Sequence, residues 1–184
     1  TLSFILDLEG TTRTDLNGQL YIEATELDVS PWLTQFISPN SKIAQSNINF
    51  QSWSRIDKGL FGRAEINLGD NEIRWSRDDQ QQHLQFGQGQ LFWSPAPGGN
   101  WVMSSNDIQL SSNGGDWPTL NFNLKKQAGM IDLYASQWSV ARALDLLPLV
   151  DIAAAASQAL ADYAPQAQVK DFYVKSRSAD DWQV

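Results

Sequence analysis

Apolar and polar residues alternate along most of this chain. Every second residue of 2–8 is Leu or Phe, and every second residue of 60–68 is apolar or glycine. Successive side chains of a strand point to opposite faces, so this period predicts strands with one apolar face. From residue 43 to 134 such runs are separated by turn signals such as Gly69-Asp-Asn, Gly87-Gln-Gly and Pro97-Gly-Gly, without a helical period. Short strands joined by short turns predict an antiparallel sheet.

Two stretches depart from this alternation. Ser30-Pro31-Trp32 places a capping residue before proline and predicts a short helix near residues 31–37. From Ser136 onward the apolar residues fall at helical spacing, which predicts helices within 138–163. A further strand is predicted to begin at Val169.

The chain also repeats itself. Segments 2–6, 20–24 and 27–32 are matched in the same order by segments 120–124, 131–135 and 144–149. Two strands followed by a helical turn therefore occur twice, as expected for a repetitive β-structure. We expect one excised segment over 1–184: residues 1–40 end one repeat with a short helix, 41–163 form a full repeat with helices at its end, and 164–184 begin the next. Stacked repeats predict an elongated shape.

One-sided strands must hide their apolar face, and the alternation leaves open how they do it. A β-sandwich hides it against a second sheet, a closed barrel hides it inside, and a curled sheet leaves it lining a cleft. Gly62, Ala64 and Ala24 place small residues between large ones on that face. These leave space for a cleft but also fit the interdigitation of an ordinary core.

The composition narrows the function classes. Of 184 residues, 42% are hydrophobic and 18% charged, which is typical of a folded chain. The net charge of −8 argues against a nucleic-acid partner, which needs clustered Lys and Arg. There is no cysteine. No apolar run reaches the ~18 residues of a membrane span.

Catalytic and metal-binding readings have little support, so we expect no enzymatic activity, no metal and no cofactor. His83 lies alone on the polar side of a strand pattern, without a nucleophile beside it. Asp78-Asp79 and Asp180-Asp181 are adjacent pairs, and adjacent strand residues point to opposite faces.

Eight tryptophans support an alternative, a carbohydrate-binding module of the cell envelope. It requires an exposed, coplanar pair of indoles, for which Trp32 and Trp117 are the candidates. A purely structural β-module is a third possibility.

Several segments resemble the AsmA-like family of Gram-negative bacteria, of the YhdP type. They are 20–24 running into 27–32, 141–148 followed by 167–174, and Gly115-Asp-Trp-Pro118. The resemblance implies a repeating, taco-shaped β-groove related in architecture to bridge-like lipid transfer proteins. It implies phospholipid transport between inner and outer membrane and a role in outer membrane biogenesis. It also implies a periplasmic location, with the parent protein anchored in the inner membrane. The chain departs from the family pattern in two respects. It shows no membrane anchor, and its net negative charge offers no evident site for a lipid headgroup.

Together these observations predict a mainly β fold with a few short helices, built as an elongated, curved antiparallel sheet, with a β-sandwich as the alternative. The expected partners are phospholipid acyl chains and flanking repeats of the same parent chain, with membrane contact only through segments outside this chain. The predicted groove residues are the apolar positions of the alternating runs: Ile48, Phe50, Leu60, Ala64, Ile66, Leu68, Ile73, Trp75, Leu84, Phe86, Leu91, Trp93, Ile108, Leu110, Leu120, Phe122, Leu124, Ile131 and Leu133.

Overall fold

The computed structural model describes residues 1–34, 37, 41–77, 80–113, 115–139, 142, 168–178 and 181–183. Within these residues the strands form one 14-stranded sheet, and one short α-helix lies between the second and third strands. The elements are β1 (Leu2–Glu9), β2 (Asn17–Leu27), α1 (Ser30–Leu33), β3 (Ser41–Asp57), β4 (Leu60–Leu68), β5 (Asn71–Arg77), β6 (Gln80–Gly87), β7 (Gln90–Ala96), β8 (Asn100–Asn106), β9 (Gln109–Ser112), β10 (Gly115–Asp116), β11 (Phe122–Gln127), β12 (Met130–Ser139), β13 (Gln168–Ser178) and β14 (Asp181–Gln183). The sheet is antiparallel, curved and open, which confirms the predicted fold class.

Several of these strands are halves of longer ones. The C-terminal half of β3 pairs with β4 and its N-terminal half with β5, so that β4 and β5 follow the same partner end to end. On the other side, β4 pairs with β7 and β5 with β6, so β6 and β7 also lie end to end. The same holds for β8, which pairs with β7, and β9, which pairs with β6. The interpretation of Gly69-Asp-Asn and Gly87-Gln-Gly as turns between strands was therefore wrong. Both are bends inside continuous strands, because the ladder resumes beyond each of them with the same partner strand.

The bends divide the sheet into two leaves. Leaf one consists of β1, β2, the C-terminal half of β3, β4, β7, β8 and β11 to β14. Leaf two consists of the N-terminal half of β3 with β5, β6, β9 and β10. We call the line between the leaves the crease, defined by Glu26, Asn49, Gly69, Asp70, Gln88, Gly89, Asp107, Ile108, Asn121, Ser136 and Asp171.

Residues with positive φ mark the crease on four of its strands. Glu26, Gln88, Asp107 and Asp171 have φ values of 50°, 54°, 53° and 53°. At Glu26 the β2–β3 register shifts, as in a β-bulge. An extra residue bends a strand and reverses the order in which its side chains alternate. Apolar residues before and after the bend therefore stay on the same face of the sheet.

Asparagine side chains satisfy the backbone groups that the bends release. The N–H of Glu26 donates to Oδ1 of Asn49 (2.8 Å), and the N–H of Asp107 donates to Oδ1 of Asn121 (2.6 Å). Asn49 also donates from Nδ2 to the carbonyl of Asp70 (2.5 Å). Because a hydrogen bond contributes about 0.5–1.5 kcal/mol net, these side chains stabilise the bent conformation.

Other backbone contacts extend the crease across the sheet. Ser136 donates its N–H to the carbonyl of Asn121 (2.8 Å), and its Oγ accepts the N–H of Asn121 (3.3 Å). Gly89 lies so close to the next strand that a Cβ there would be 2.7 Å from Cα of Ile108. The glycine is therefore required by this close approach of two backbones.

The two predicted hairpins of the repeat are both present, as β1–β2 and β11–β12. Their equivalent alanines, Ala24 and Ala135, are only 3% and 2% exposed, and each lies next to the crease. The third matched piece, 144–149, lies outside the described residues. The division of the chain into repeats stays a prediction.

Helix α1 begins where a helix was predicted, but its cap differs. Val29 is the N-cap and Ser30 is already helical; its N–H donates to Oδ1 of Asp28 (2.9 Å). Hydrogen bonds from Ser30 and Ser46 lower the pKa of Asp28 to about 2. Asp28 therefore stays ionised and holds α1 against β3 at all but strongly acidic pH.

The second predicted helical region was wrong at its start. Trp138 lies in β12 and pairs with Val169 of β13, because that neighbouring strand extends the ladder beyond the crease. The remainder of 138–163 lies outside the described residues, apart from Ser139, the last residue of β12, and Arg142. In the described part of the chain no helix has the length and apolar character needed to cross a membrane.

The accessible area fits an open architecture. A compact protein of this mass, 20.6 kDa, exposes about 8,900 Å². This chain exposes 11808 Å². The excess, about one third, indicates a sheet that is not wrapped around a closed core.

We expect Asn49→Ala to lower the free energy of unfolding by about 1–2 kcal/mol, because it removes two side-chain hydrogen bonds to backbone groups of the neighbouring strands. Urea unfolding measures the change. Asn123→Ala is the matched control: Asn123 is exposed on leaf one, makes no side-chain hydrogen bond to the described residues, and should change stability by less than about 0.5 kcal/mol. Equal effects of the two substitutions would show that the crease does not depend on this side chain.

Candidate functional site

Cross-strand pairing aligns apolar side chains in rows that run across the strands of leaf one. One row of nine residues, which we call the central row, contains Leu6, Leu20, Ser54, Ala64, Trp93, Met103, Leu124, Leu133 and Val174. It crosses nine strands without a charged residue. A second row lies nearer the crease and contains Phe4, Ile22, Ser52, Ile66, Leu91, Ser105, Phe122, Ala135 and Phe172.

Leaf two continues the same face beyond the crease. Ile73 pairs with Leu84, Trp75 pairs with Ile43, and Phe86 pairs with Leu110. The shielded residues of the sheet, such as Ala24, Ser52, Ser105, Ala135 and Trp75, belong to this face, and it is therefore the inside of the bend. We call it the concave face.

The concave face is a lining rather than a packed core. Among the described residues the buried hydrophobic ones are Ala24, Ile56, Trp75, Ile108, Trp117, Ala135 and Val174. Most of its large side chains, including Phe122, Leu124 and Leu133, are only half-buried. On β1, where leaf two has no counterpart, Phe4 and Leu6 are 71% and 49% exposed. An apolar surface of this extent in contact with water marks a binding site.

The predicted groove residues lie largely where the alternation placed them. On leaf one, the concave face holds Phe50, Ala64, Ile66, Leu68, Leu91, Trp93, Phe122, Leu124, Ile131 and Leu133. On leaf two it holds Ile73, Trp75, Leu84, Phe86 and Leu110. Ile48, Ile108 and Leu120 lie at the crease. Whether these residues contact a ligand stays a prediction.

Leu60 is placed differently. A register shift after Ser54 pairs Leu60 with Asp57 and Phe61 with Ile56, so Phe61 takes the concave position. Leu20 and Ile22 of β2 also lie on the concave face and were not among the predicted groove residues, although they alternate with polar residues in the same way.

Polar atoms on the concave face are mostly satisfied within the protein. Oγ of Ser105 accepts the N–H of Phe122 (2.8 Å), and Oγ of Ser112 accepts the indole N–H of Trp117 (3.1 Å). The exception is Trp75, which is 1% exposed and whose Nε1 is buried without a hydrogen-bond partner among the described residues. The face therefore presents carbon atoms and few free hydrogen-bonding groups to a ligand.

The described side chains of the convex face do not include the coplanar pair of exposed indoles that the carbohydrate alternative requires. Trp117 is 8% exposed and hydrogen-bonded, so its selection as an exposed indole was wrong. Trp32 is 58% exposed. Trp53 stacks on Tyr21 with ring centroids 5.3 Å apart, but the planes are inclined by 49°.

Catalytic groups are not assembled in the part of the chain that the structure describes. His83 lies opposite Arg74, and its backbone N–H donates to Oδ1 of Asn113 (2.8 Å). The described residues contain no group of three or more His, Cys, Asp or Glu side chains that could hold a metal ion. Asp78, Asp79 and Asp180 lie outside the described residues.

Fold and site together define an open, creased β-sheet with a continuous apolar concave face. A family model described as YhdP protein matches residues 1–184, and the chain belongs to that family. It is 23% identical, over 103 residues, to the protein named intermembrane phospholipid transporter YhdP of Escherichia coli (strain K12). The aligned region covers 56% of this chain and 8% of that relative. No solved structure matches the chain.

We expect Trp75→Ala to lower the free energy of unfolding by about 3–5 kcal/mol, since it removes the most buried large side chain. Trp75→Phe keeps an aromatic ring and removes the unpaired N–H, so its effect should be within about 1.5 kcal/mol. Denaturant unfolding of the two variants measures both values. A severe loss with Trp75→Phe would mean that the indole N–H has a partner in solution.

Proposed function

We propose that this segment binds phospholipid acyl chains on its concave face and forms part of a lipid path between the inner and outer membranes. The observation that carries the proposal is the central row, which crosses nine strands without interruption by a charge. Membership of the YhdP family supports it, as does the similarity to a protein named as a phospholipid transporter.

The dimensions suit acyl chains. Nine strands spaced by about 4.8 Å give a row of about 38 Å. The hydrocarbon core of a bilayer is about 30 Å thick and contains two chain lengths, so one chain is about 15 Å long. The central row is therefore long enough for at least two chains end to end.

The energetics favour movement along the face. Apolar contact stabilises a bound chain by about 25 cal/mol per Å². Each row repeats similar aliphatic and aromatic side chains from strand to strand, and a chain that shifts by one strand keeps nearly the same contact area. Binding without a single deep pocket lets a lipid slide instead of being trapped.

The proposal also covers the cellular compartment and the longer protein to which the segment belongs. The segment works in the periplasm without catalysis, as part of a longer protein anchored in the inner membrane of a Gram-negative bacterium. Flanking repeats of that protein extend the sheet, and residues 1–40, 41–163 and 164–184 belong to three successive repeats. Carbohydrate binding and a purely structural role lack comparable support, because Trp117 is buried and the concave face is exposed.

We expect Phe122→Arg to abolish photo-crosslinking of the purified chain to a phospholipid with a photoactivatable acyl chain. An ionised guanidinium resists the desolvation that acyl contact requires. Phe122 is half-buried, so the circular dichroism spectrum and melting temperature should remain close to those of the unchanged protein. Leu110→Asp on leaf two should behave in the same way.

Asn123→Arg is the matched control, since it adds the same charge at the next residue but on the convex face. It should leave crosslinking intact. If Phe122→Arg and Leu110→Asp instead unfold the chain, the concave face is a closed core and the proposal fails. Normal crosslinking by folded Phe122→Arg protein would also contradict it.

A further inference from the structure

The convex face of leaf one carries aromatic side chains as well as polar ones. The convex row beside the central row contains Ile5, Tyr21, Trp53, Glu65, Phe92, Ser104, Asn123, Tyr134 and Tyr173. Five of these nine residues are aromatic, although this face does not cover the concave lining. Aromatic side chains that combine apolar area with a polar group are enriched at binding surfaces. The convex face therefore offers candidate sites of its own.

A cavity of about 710 Å³ opens on this face over β2, β3 and β4. We call it the convex cleft, and its lining includes Gln19, Tyr21, Trp53, Arg55, Arg63 and Glu65. These six residues flank Leu20, Ser54 and Ala64 of the central row, so their side chains lie on the opposite, convex side of the three strands. Sites for small ligands have volumes of about 300–1,000 Å³. The cleft therefore has the size of a small-ligand site.

Two arginines face each other in the cleft. The register shift after Ser54 sets two residues of β4, Gly62 and Arg63, against Arg55 of β3. Arg55 and Arg63 therefore lie opposite each other on the same face, and glycine adds no side chain beside them. Like charges opposite each other destabilise a sheet. An anion bound by both guanidinium groups would remove this repulsion.

Neither arginine has an acidic partner. Within the described part of the chain, Arg55 and Arg63 form no ion pair with a carboxylate. Arg55 is exposed. The guanidinium of Arg63 lies 5.1 Å from the ring centre of Phe92, and this cation–π contact restrains its position without neutralising its charge. Guanidinium groups bind carboxylate and phosphate oxygens through paired hydrogen bonds. The cleft therefore offers two donors for one anionic group.

The other side chains of the cleft suit a ligand with an apolar face and several hydroxyl groups. Tyr21 packs against Trp53 with ring centroids 5.3 Å apart, and 41% of Trp53 stays exposed. An exposed indole can stack on the C–H face of a sugar ring. The carboxylate of Glu65 forms no ion pair with the described residues and can accept hydrogen bonds from hydroxyl groups, while the amide of Gln19 both donates and accepts them.

We propose that the convex cleft binds a sugar ring that bears a carboxylate, as the glycan strands of bacterial cell walls do. The ring stacks on Trp53, and its carboxylate lies between Arg55 and Arg63. Its hydroxyl groups bond to Gln19 and Glu65. An acidic peptide fits less well, because its further carboxylates would meet Glu65. A neutral sugar would leave the two guanidinium groups without an anion.

This site goes beyond the proposed lipid function. It lies on the face opposite to the acyl chains, so the two ligands bind independently. It also changes the form of the carbohydrate alternative, because one indole and two guanidinium groups take the place of a coplanar pair of indoles.

Isothermal titration calorimetry of the purified chain with two disaccharides tests the proposal. N-acetylglucosaminyl-N-acetylmuramic acid carries a carboxylate, whereas diacetylchitobiose has the same two rings without it. The unchanged protein should bind the acidic disaccharide about 10-fold more tightly, through charge-assisted hydrogen bonds. High salt should reduce this preference, since exposed charges are screened. Pentaglutamate, an acidic peptide without sugar rings, should not bind measurably.

Substitutions separate the two parts of the cleft. Arg55→Gln should lose about 10-fold in affinity for the acidic disaccharide and keep its affinity for diacetylchitobiose. Lys125→Gln is the matched control, since Lys125 is exposed on the same face but outside the cleft. Trp53→Leu should weaken binding of both disaccharides, whereas Tyr173→Leu, which changes an exposed aromatic residue of the same row, should weaken neither.

The outcomes that would overturn the site are distinct from those that bear on lipid binding. Equal affinity of the unchanged protein for the two disaccharides, or binding of neither, overturns it, as do equal losses in Arg55→Gln and Lys125→Gln. Tighter binding of pentaglutamate than of the acidic disaccharide would assign the cleft to an acidic protein segment instead. Crosslinking to phospholipid should be unchanged in Arg55→Gln, and its loss would contradict the independence of the two faces.

Discussion

The fold depends on hydrogen-bond acceptors for the backbone N–H groups that lose their cross-strand partners where the strands bend. A residue with positive φ leaves its strand partner, and its N–H then needs another acceptor. Asn49 and Asn121 supply the acceptors for Glu26 and Asp107 at the crease. Asn17 and Asn100 do the same for Lys58 and Ala128, whose φ values are both 52°, at the turns that end leaf one away from the crease. The same device therefore shapes both borders of leaf one.

The bend determines how much of the apolar face is in contact with water. A flat sheet with one apolar face needs a second layer to cover it. The crease instead folds the sheet toward its own apolar face, which leaves the large side chains half-buried rather than packed. Small residues such as Ser52, Ser105 and Ala135 keep the crease narrow, while Leu124 and Leu133 of the central row lie farther from it. The apolar area that remains exposed would drive the lipid binding that we propose.

The alternation of apolar and polar residues predicted the strands and their apolar face correctly, because apolar residues before and after a β-bulge stay on the same face of the sheet. It did not predict the crease. Gly69-Asp-Asn and Gly87-Gln-Gly have the composition of hairpin turns, but their glycines permit the close approach of neighbouring strands: a Cβ would lie 2.9 Å from Cβ of Asn49 at Gly69, and 2.3 Å from the carbonyl oxygen of Gly69 at Gly87. Only the cross-strand partner distinguishes them, and one sequence does not contain it. Leu60 was misplaced by one register shift for the same reason.

The most direct test of an open concave face uses the absence of cysteine from the chain. Single substitutions Leu133→Cys on the concave face and Tyr134→Cys on the convex face are treated with a water-soluble maleimide in the folded state. Both should react, and added short-chain phospholipid should protect Leu133→Cys but not Tyr134→Cys. If Leu133→Cys reacts only after unfolding, the face is a closed core and the account is contradicted.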